Sequence, residues 1–480
     1  MAEHWTKLHG AGRASWCIVS GFQAYPEQLG GLAARERPAF GVRPTVRFAA
    51  SVTLTVTYLV FAVMVSQPWR SDLEAAIGPV AAWVIPVMLA YIPALVIGFM
   101  CFTLLLTRYW PPPQTPPGAW PGSGWPPVTV IVAAYNEESA IEATLEHIAA
   151  STYPGPIAVV LADNNSTDRT AELGEAAAVR LNLDYRRRFE PVAGKHHALN
   201  TALRDVTTQI LVTVDADTLL HPEALTYLIA RVASTPQDQH VCACAGALIA
   251  ANPNQNFLTR MQGWDYRLGI NGVKRTQAAY NSALVAQGAF SAYWTDDITA
   301  VGGWPDAIGE DIVLTWSLMA SRGLVQYEPA ALAQTVVPER LRHFMRQRSR
   351  WARGMFEGIG INPPHRQPRV LAKAVAGIDY LVPLLDIGYV FFWVPGVILF
   401  IFGYPLLFSW WSMLLIPLTL VIYGLLRRWQ DRNVFRVLGM HPEPDRRGFF
   451  GYLLGYQALT STASLVGYVQ QLAGAGRRWK

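Results

Sequence analysis

The chain has 480 residues, more than one ordinary domain of roughly 100 to 200 residues needs, so two or more structural units are expected. Charged residues make up 15% of it against about 25% in a typical soluble protein, and hydrophobic residues reach 51%, which excludes a disordered chain and argues against a wholly soluble one. The net charge of +5 says less than where the cations lie, and four cysteines (Cys17, Cys101, Cys242, Cys244) without zinc-finger spacing exclude a disulfide framework.

In chain order, the first 47 residues are mixed and polar and do not read as a cleavable signal peptide. Phe48 to Val65 is free of charge, and so is Ala75 to Thr107; roughly 20 apolar residues cross a bilayer, so these two segments read as a membrane hairpin around a loop, Ser66 to Glu74. Lys7, Arg13, Arg35, Arg37, Arg43 and Arg47 precede the first span, whereas Arg70 stands alone in the loop. Because Lys and Arg near span ends stay cytoplasmic, the N-terminus and everything after the second span are expected in the cytoplasm.

Pro111 to Pro127, PPPQTPPGAWPGSGWPP, cannot continue a helix and reads as a stiff linker. The middle domain then runs from about Val128 to Asn362. VTVIVA (Val128 to Ala133), IAVVLA (Ile157 to Ala162) and Ile210 to Val214 are apolar runs of strand length, each followed by a helical stretch. Strands alternating with helices predict an α/β domain with a largely parallel sheet whose ligands sit at the carboxyl ends of the strands. At those ends lie AYNEE, DNNSTD and DAD. Cys242 and Cys244 alternate in VCACA and read as thiols on one face of a buried strand.

Each motif also has a plain structural reading, because Asn and Asp before a helix are ordinary caps and first-turn acids suit the helix dipole. Two carboxylates one residue apart, Asp215 and Asp217, are also a donor set for a hard divalent cation that keeps waters and takes substrate phosphates. Further on come GAFSAY (Gly288 to Tyr293), Gly309-Glu310-Asp311 opening a helix, and QRSRW (Gln347 to Trp351) within a basic amphipathic stretch, Leu341 to Phe356, suited to a membrane surface. Ala376 to Leu426 is long enough for two more spans turning near Gly403 to Pro405, and Phe449 to Leu472 is a last candidate. Arg427, Arg428, Arg432, Arg436, Arg446 and Arg447 fit a cytoplasmic loop after two crossings. A fifth crossing would put Arg477, Arg478 and Lys480 outside, which leaves a re-entrant last segment as the alternative.

AYNEE, DNNSTD, GKHHALN, DAD, GAFSAY, the acidic pair and Q-x-x-R-W, in this order and bracketed by apolar spans, resemble the processive family 2 glycosyltransferases, the group of cellulose, chitin and hyaluronan synthases. The stretch from YEPAAL to RWARG is most similar to the bacterial poly-β-1,6-N-acetylglucosamine synthases. The resemblance implies a GT-A-like cytosolic catalytic domain inserted between transmembrane helices in a multi-pass protein of the inner (cytoplasmic) membrane. It implies that Tyr135, Glu137, Asp163 and Lys195 hold the donor and that Asp215 and Asp217 hold Mg²⁺ or Mn²⁺. On the same grounds Asp311, with Glu310 beside it, is the catalytic base, while Gln347, Arg350 and Trp351 hold the diphosphate and the acceptor sugar.

The expected partners are a UDP-sugar, N-acetylglucosamine being the expected sugar, a growing polysaccharide and the lipid bilayer. There is room for a small membrane accessory subunit and no nucleic acid is implied. A single-addition transferase acting on a lipid acceptor and an inactive subunit of an export complex are the alternatives. Two departures stand out: Gly309 replaces a common Thr, which predicts a looser loop, and Asn164 replaces a second carboxylate, which leaves Asp163 as the acid of that motif. His196 and His197 match no role.

Overall fold

The computed structural model describes residues 22–24, 43–107, 124–233, 240–407, 415–442 and 445–476. Cys17, the cations Lys7, Arg13, Arg35 and Arg37, most of the Pro-rich linker and the tail with Arg477, Arg478 and Lys480 lie outside the described residues.

The middle domain is built on one eight-stranded sheet. Strands β1 (Val128–Ala134), β2 (Ile157–Asp163), β3 (Asp184–Phe189) and β4 (Ile210–Asp215) are parallel, ordered β3-β2-β1-β4; β1, β2 and β4 are the three expected apolar runs, and the exposed edge strand β3, DYRRRF, is an addition to them. Val130, Ile131, Val132, Leu161, Leu211 and Val212 are buried on both faces because helices cover the sheet above and below. The crossover helices include α4 (Ile141–Ala149), α5 (Thr170–Arg180) and α6 (Lys195–Leu203).

Beyond β4 the sheet stops being parallel. β5 (Thr218–Leu220), β6 (Val241–Ala250), β7 (Phe290–Trp294) and β8 (Leu324–Thr335) complete the order as β4-β7-β6-β8-β5. β7 runs antiparallel to both β4 and β6, β5 runs antiparallel to β8, and only β6 and β8 are parallel. The expected largely parallel sheet is therefore a mixed one. The regular strand-helix period ends at Asp215, and β7 enters beside β4 only after β5, the helix Ala224–Ala233, β6 and then α8 (Phe257–Trp264) and α9 (Asn271–Ala278), a long connection which no short crossover rule covers. Cys242 and Cys244 are buried free thiols in β6, in line with the strand reading.

Three helices among the described residues are long and apolar enough to cross a membrane: Pro44–Val65, Pro79–Leu106 and Val370–Ile401. The first two match the expected hairpin, but its loop is helical, Gln67–Ile77. Pro68 opens that helix, Trp69 and Leu73 bury one face of it, the Trp69 indole donates to the Leu406 carbonyl at 2.8 Å, and Gly78 ends it with φ 92°. Val370–Ile401 ends before Gly403, which turns the chain with φ 87°, as expected. Among the described residues the next helix covers Leu415–Gln430, directly after residues outside the description, and the last runs through Gln457–Leu472. Neither joins the three, so the five expected crossings correspond to three spans of sufficient length among the described residues.

Within the last helix the Ser461 hydroxyl donates to Asp386 Oδ1 and the Tyr468 hydroxyl to Asp386 Oδ2, both at 2.7 Å. The polar face of that helix thus serves contact between helices at Ser461, where a buried carboxylate in an apolar span takes its hydrogen bonds from a neighbour.

Candidate active site

Parallel pairing brings three motifs to one edge of the sheet. Asp163 stands opposite Ala134 in the ladder and Asp215 opposite Ala133, so the ends of β2 and β4 flank the end of β1, from which Tyr135 emerges 42% exposed. The first two motif loops are latched together. Asn136 and Asn165 adopt φ 55° and 57°, a left-handed conformation that Asn tolerates better than most residues. The Asn136 side chain accepts from Thr167 N at 2.8 Å, and Glu137 N donates to Thr170 Oγ1 at 2.7 Å.

Asp163 is fully buried and accepts from Ser166 N at 3.0 Å and from Arg187 Nη2 at 2.6 Å. Both its oxygens are thereby engaged within the protein, and Arg187 of β3 is the group at this corner that reaches solvent. Asn164 does more than replace a carboxylate. Its amide donates to the Val192 carbonyl at 2.7 Å and its Oδ1 accepts from Gly194 N at 2.8 Å, which fixes the loop leading into Lys195.

Lys195, at the start of α6, ion-pairs with Asp215. Burial works against its charge, yet Asp215, Glu310 and Asp311 together hold the ammonium above its ordinary value. Asp217 lies two residues past the end of β4, and its carboxyl is pushed up to about 6 by burial and by the charge of Asp215. Two carboxylates that repel one another against a single lysine form a donor set that fits a divalent cation. No cluster of three or more His, Cys, Asp or Glu occurs among the described residues, so such a cation would take its other ligands from water and substrate.

The acidic pair reaches the same place from the antiparallel half. Asp215 N donates to the Ala289 carbonyl at 3.2 Å, the neighbouring Gly288 N faces Asp311 Oδ2 at 3.4 Å, and a methyl group on Gly288 would stand 2.9 Å from Lys195 Nζ. Asp311 is half-buried, while Glu310 is 4% exposed and its carboxyl is raised to about 7, first by burial and then by Asp311, with Lys195 and Arg350 opposing. Of the two acids, Asp311 is the one a substrate can reach.

Gly309 makes this loop tight instead of loose. The QRSRW residues lie on α11 (Leu341–Ile361), which crosses the acidic loop where Gly309 meets Gly354: a Cβ on Gly309 would stand 2.7 Å from the Gly354 Cα. Glu357 accepts from Ile308 N at 2.7 Å one turn further along. Gly309→Thr is therefore expected to push α11 off the acidic loop and to lower transfer at least about tenfold, with a loss of stability of about 1 to 3 kcal/mol from overpacking. Measuring rate and melting temperature together checks this, and a threonine variant with unchanged values would show the glycine contact to be dispensable.

On α11, Gln347 carries a buried Oε1 with no hydrogen-bond partner among the described residues, Arg350 is exposed, and Trp351 is half-buried. Arg187, Gly354 and Glu357 are the residues of this site that sequence reading did not single out, and Asn164, noted there only as a lost carboxylate, proves to be a loop brace. Only the Gly-x-x-x-Gly of Gly354 and Gly358 offered a signal, as a pattern that admits close backbone approach. His196 is buried, its ring 3.9 Å from that of His197, behind the lysine that starts α6.

The family described as glycosyltransferase like family 2 matches residues 126–354, the span that holds every motif above. An N-acetylglucosaminyltransferase of Mesorhizobium japonicum is 32% identical over 270 residues, 53% of this chain and 61% of that protein. One of Rhizobium sp. (strain N33) is 30% identical over 317 residues, 61% of this chain and 67% of that protein. A poly-beta-1,6-N-acetyl-D-glucosamine synthase of Staphylococcus aureus is 30% identical over 236 residues, 48% of this chain and 55% of that one. The chain thus spans about half to two thirds of the length of the curated relatives it matches. Among solved structures, a mannosyltransferase from Pyrobaculum calidifontis in complex with GDP-Man and Mn²⁺ shares the fold, with a TM-score of 0.56, 19% identity, and coverage of 85% of this chain and 100% of that one. The catalytic half thus has a GT-A-like fold with a mixed sheet, and the chain belongs to glycosyltransferase family 2.

Proposed function

We propose that the protein is a membrane-embedded, inverting, processive glycosyltransferase that polymerises a UDP-sugar, UDP-N-acetylglucosamine first, into a β-linked polysaccharide and passes it across the membrane. The observation that carries this reading is the packing of the QRSRW helix directly on the acidic loop and on the last apolar helix. Gly354 lies against Gly309, Gly467 of the last helix lies against Ser349 and Ala352, and Ser461 and Tyr468 of that helix bond Asp386 within the span Val370–Ile401, so acceptor platform, base and a membrane helix are linked through the last helix. The N-acetylglucosaminyltransferase relatives and the synthase from Staphylococcus aureus support the choice of sugar.

In this mechanism Tyr135 and Glu137 border the nucleoside end of the donor, and Asp163 braces that corner through Arg187. Lys195 and Arg350 supply positive charge toward the diphosphate, where a planar guanidinium suits phosphate oxygens. The Gln347 Oε1 is an acceptor left for a substrate hydroxyl. Asp311 takes the proton from the acceptor hydroxyl as its oxygen bonds to the anomeric carbon, and the bond from that carbon to UDP breaks on the opposite side. The carboxylates of Asp215 and Asp217 would hold Mg²⁺ or Mn²⁺, which supplies charge against the departing diphosphate. The Trp351 ring offers an apolar face for the sugar at the chain end, and the catalytic half stands on the cytoplasmic side.

Purified protein given a panel of UDP-sugars tests this through the size profile and linkage of the products. Long polymer from UDP-N-acetylglucosamine at low enzyme concentration is expected. Products one sugar longer than their acceptor would refute the polymerase reading, and exclusive use of UDP-glucose would refute the choice of sugar alone. Trp351→Ala is expected to lower polymer synthesis about 10²-fold and hydrolysis of the donor far less, since a stacked face serves the acceptor.

A further inference from the structure

Beneath Trp351 lies a buried polar cluster that the mechanism above does not use. Arg348 is 7% exposed, ion-pairs with Asp265 at 3.0 Å and donates from Nη2 to the Tyr456 hydroxyl at 2.8 Å. That hydroxyl donates in turn to Asp265 Oδ2 at 3.0 Å, which closes a three-membered ring of hydrogen bonds. A guanidinium this deep needs such partners, since a buried charge without them is costly.

The three residues come from three separate elements. Arg348 sits on α11, Asp265 opens the π-helical turn Asp265–Ile270, and Tyr456 ends another, Tyr452–Tyr456, that leads into the last apolar helix. Wide turns of this kind displace a side chain from the ordinary helical path and concentrate at functional sites. Gly269 gives the carboxylate its room, because a methyl group there would stand 2.5 Å from Asp265 Oδ1.

The Arg348 guanidinium lies 4.2 Å from the centre of the Trp351 ring, nearer than to Phe344 at 5.4 Å, Tyr456 at 5.8 Å or Tyr266 at 5.9 Å. One face of the indole is thus held against a cation whose Nη2 is fixed by Asp265 and Tyr456 together. A platform for a sliding sugar chain must keep its plane while the sugar changes, and the Arg348 guanidinium braces the indole together with the apolar core against which it packs.

We propose that Arg348, locked by Asp265 and Tyr456, is a positioning residue that fixes the Trp351 indole for the acceptor and thereby sets chain length. The proposal rests on the reading of Trp351 as the acceptor platform. Because Tyr456 belongs to the segment entering the last helix, which bonds Asp386 of the span Val370–Ile401, the platform is referenced to that helix pair and not to the donor corner at Asp163 and Lys195.

The test uses the full-length protein with Arg348→Met, and with the milder Tyr456→Phe in case the first variant leaves Asp265 too poorly paired to fold. Three quantities are read: donor hydrolysis without acceptor, sugar incorporation, and product length. Incorporation and product length are expected to fall about tenfold or more for Arg348→Met and about threefold for Tyr456→Phe, with the donor KM and hydrolysis within about twofold. The double variant Arg348→Met with Trp351→Ala is expected to lose no more than Trp351→Ala alone, since both changes act on one group. Equal loss of hydrolysis and incorporation in both single variants, or losses that multiply in the double variant, would overturn the proposal. If wild type adds only single sugars, the polymerase reading falls, and the proposal is then upheld by an acceptor KM raised about tenfold in Arg348→Met and overturned by an unchanged one.

Discussion

Asp311→Asn is expected to lower sugar transfer by about 10² to 10⁴-fold while UDP affinity stays within about threefold, because the amide keeps the shape of the side chain and loses its basicity. On a free-energy scale this removes about 3 to 5 kcal/mol of transition-state stabilisation. The structure makes the comparison a clean one. Ile312 N donates to Asp311 Oδ1 at 2.9 Å, and an asparagine can present its carbonyl to the same amide, so the start of the helix is kept. The donor corner is held by other residues: Asn164 fixes the approach to Lys195, and Arg187 and Ser166 fix Asp163. Glu310→Gln is the companion variant. Its carboxyl is already pushed up to about 7 by burial and by Asp311, so neutralising it changes a group that carries its proton much of the time near pH 7. A smaller loss is therefore expected for Glu310→Gln than for Asp311→Asn. Initial rates of incorporation and calorimetric UDP binding check both, and near-normal polymer synthesis by Asp311→Asn would remove it as the base.

Three of the four strands in the parallel half, β1, β2 and β4, were legible because each is a short apolar run followed by a helix, and a parallel strand buried on both faces needs that composition; the edge strand β3, DYRRRF, is largely exposed and carries no such run. The same rule put AYNEE, DNNSTD and DAD at one edge, where the register places Asp163 and Asp215 on either side of the end of β1. The antiparallel half was not legible. VCACAGALIA reads as a strand, but nothing in its pattern says that β7 will slip between it and β4, since that choice is made by packing at long range. The helix Gln67–Ile77 was read as a loop because its charges hid an apolar pair, Trp69 and Leu73, spaced to share one face.

At the site, residue types were legible and their partners were not. Gly309 looked like slack in a loop, and only the neighbouring helix shows that its missing Cβ is filled by the Gly354 backbone. Arg348 looked like one more cation on a basic surface helix, yet it is the buried one and pairs with Asp265, 83 positions away in the chain and invisible to any local pattern.

Chelation is expected to stop transfer, and added Mg²⁺ or Mn²⁺ to restore it, whereas Asp217→Ala should stay inactive at ordinary metal concentrations. The argument starts from charge. Asp215 ends β4 and Asp217 follows in the turn beyond it, and burial together with the charge of Asp215 raises the Asp217 carboxyl to about 6. Lys195 pairs with Asp215 and relieves only part of that repulsion. A divalent cation relieves the rest, and a site with two protein carboxylates binds it weakly until phosphate oxygens complete the shell. Binding of metal and nucleotide should therefore be cooperative. UDP is expected to tighten Mn²⁺ binding about tenfold or more in the wild type, read by the spin-resonance signal of the free ion, and not in Asp217→Ala. The loss of transfer in Asp217→Ala should reach about 10³-fold, since two functions fail together: the cation is not held and the leaving diphosphate keeps its full charge. Full activity in excess chelator would take the motif out of the mechanism. Mn²⁺ binding that ignores UDP would leave the two carboxylates as a surface ion site, and the raised Asp217 carboxyl would then be a cost of burial alone.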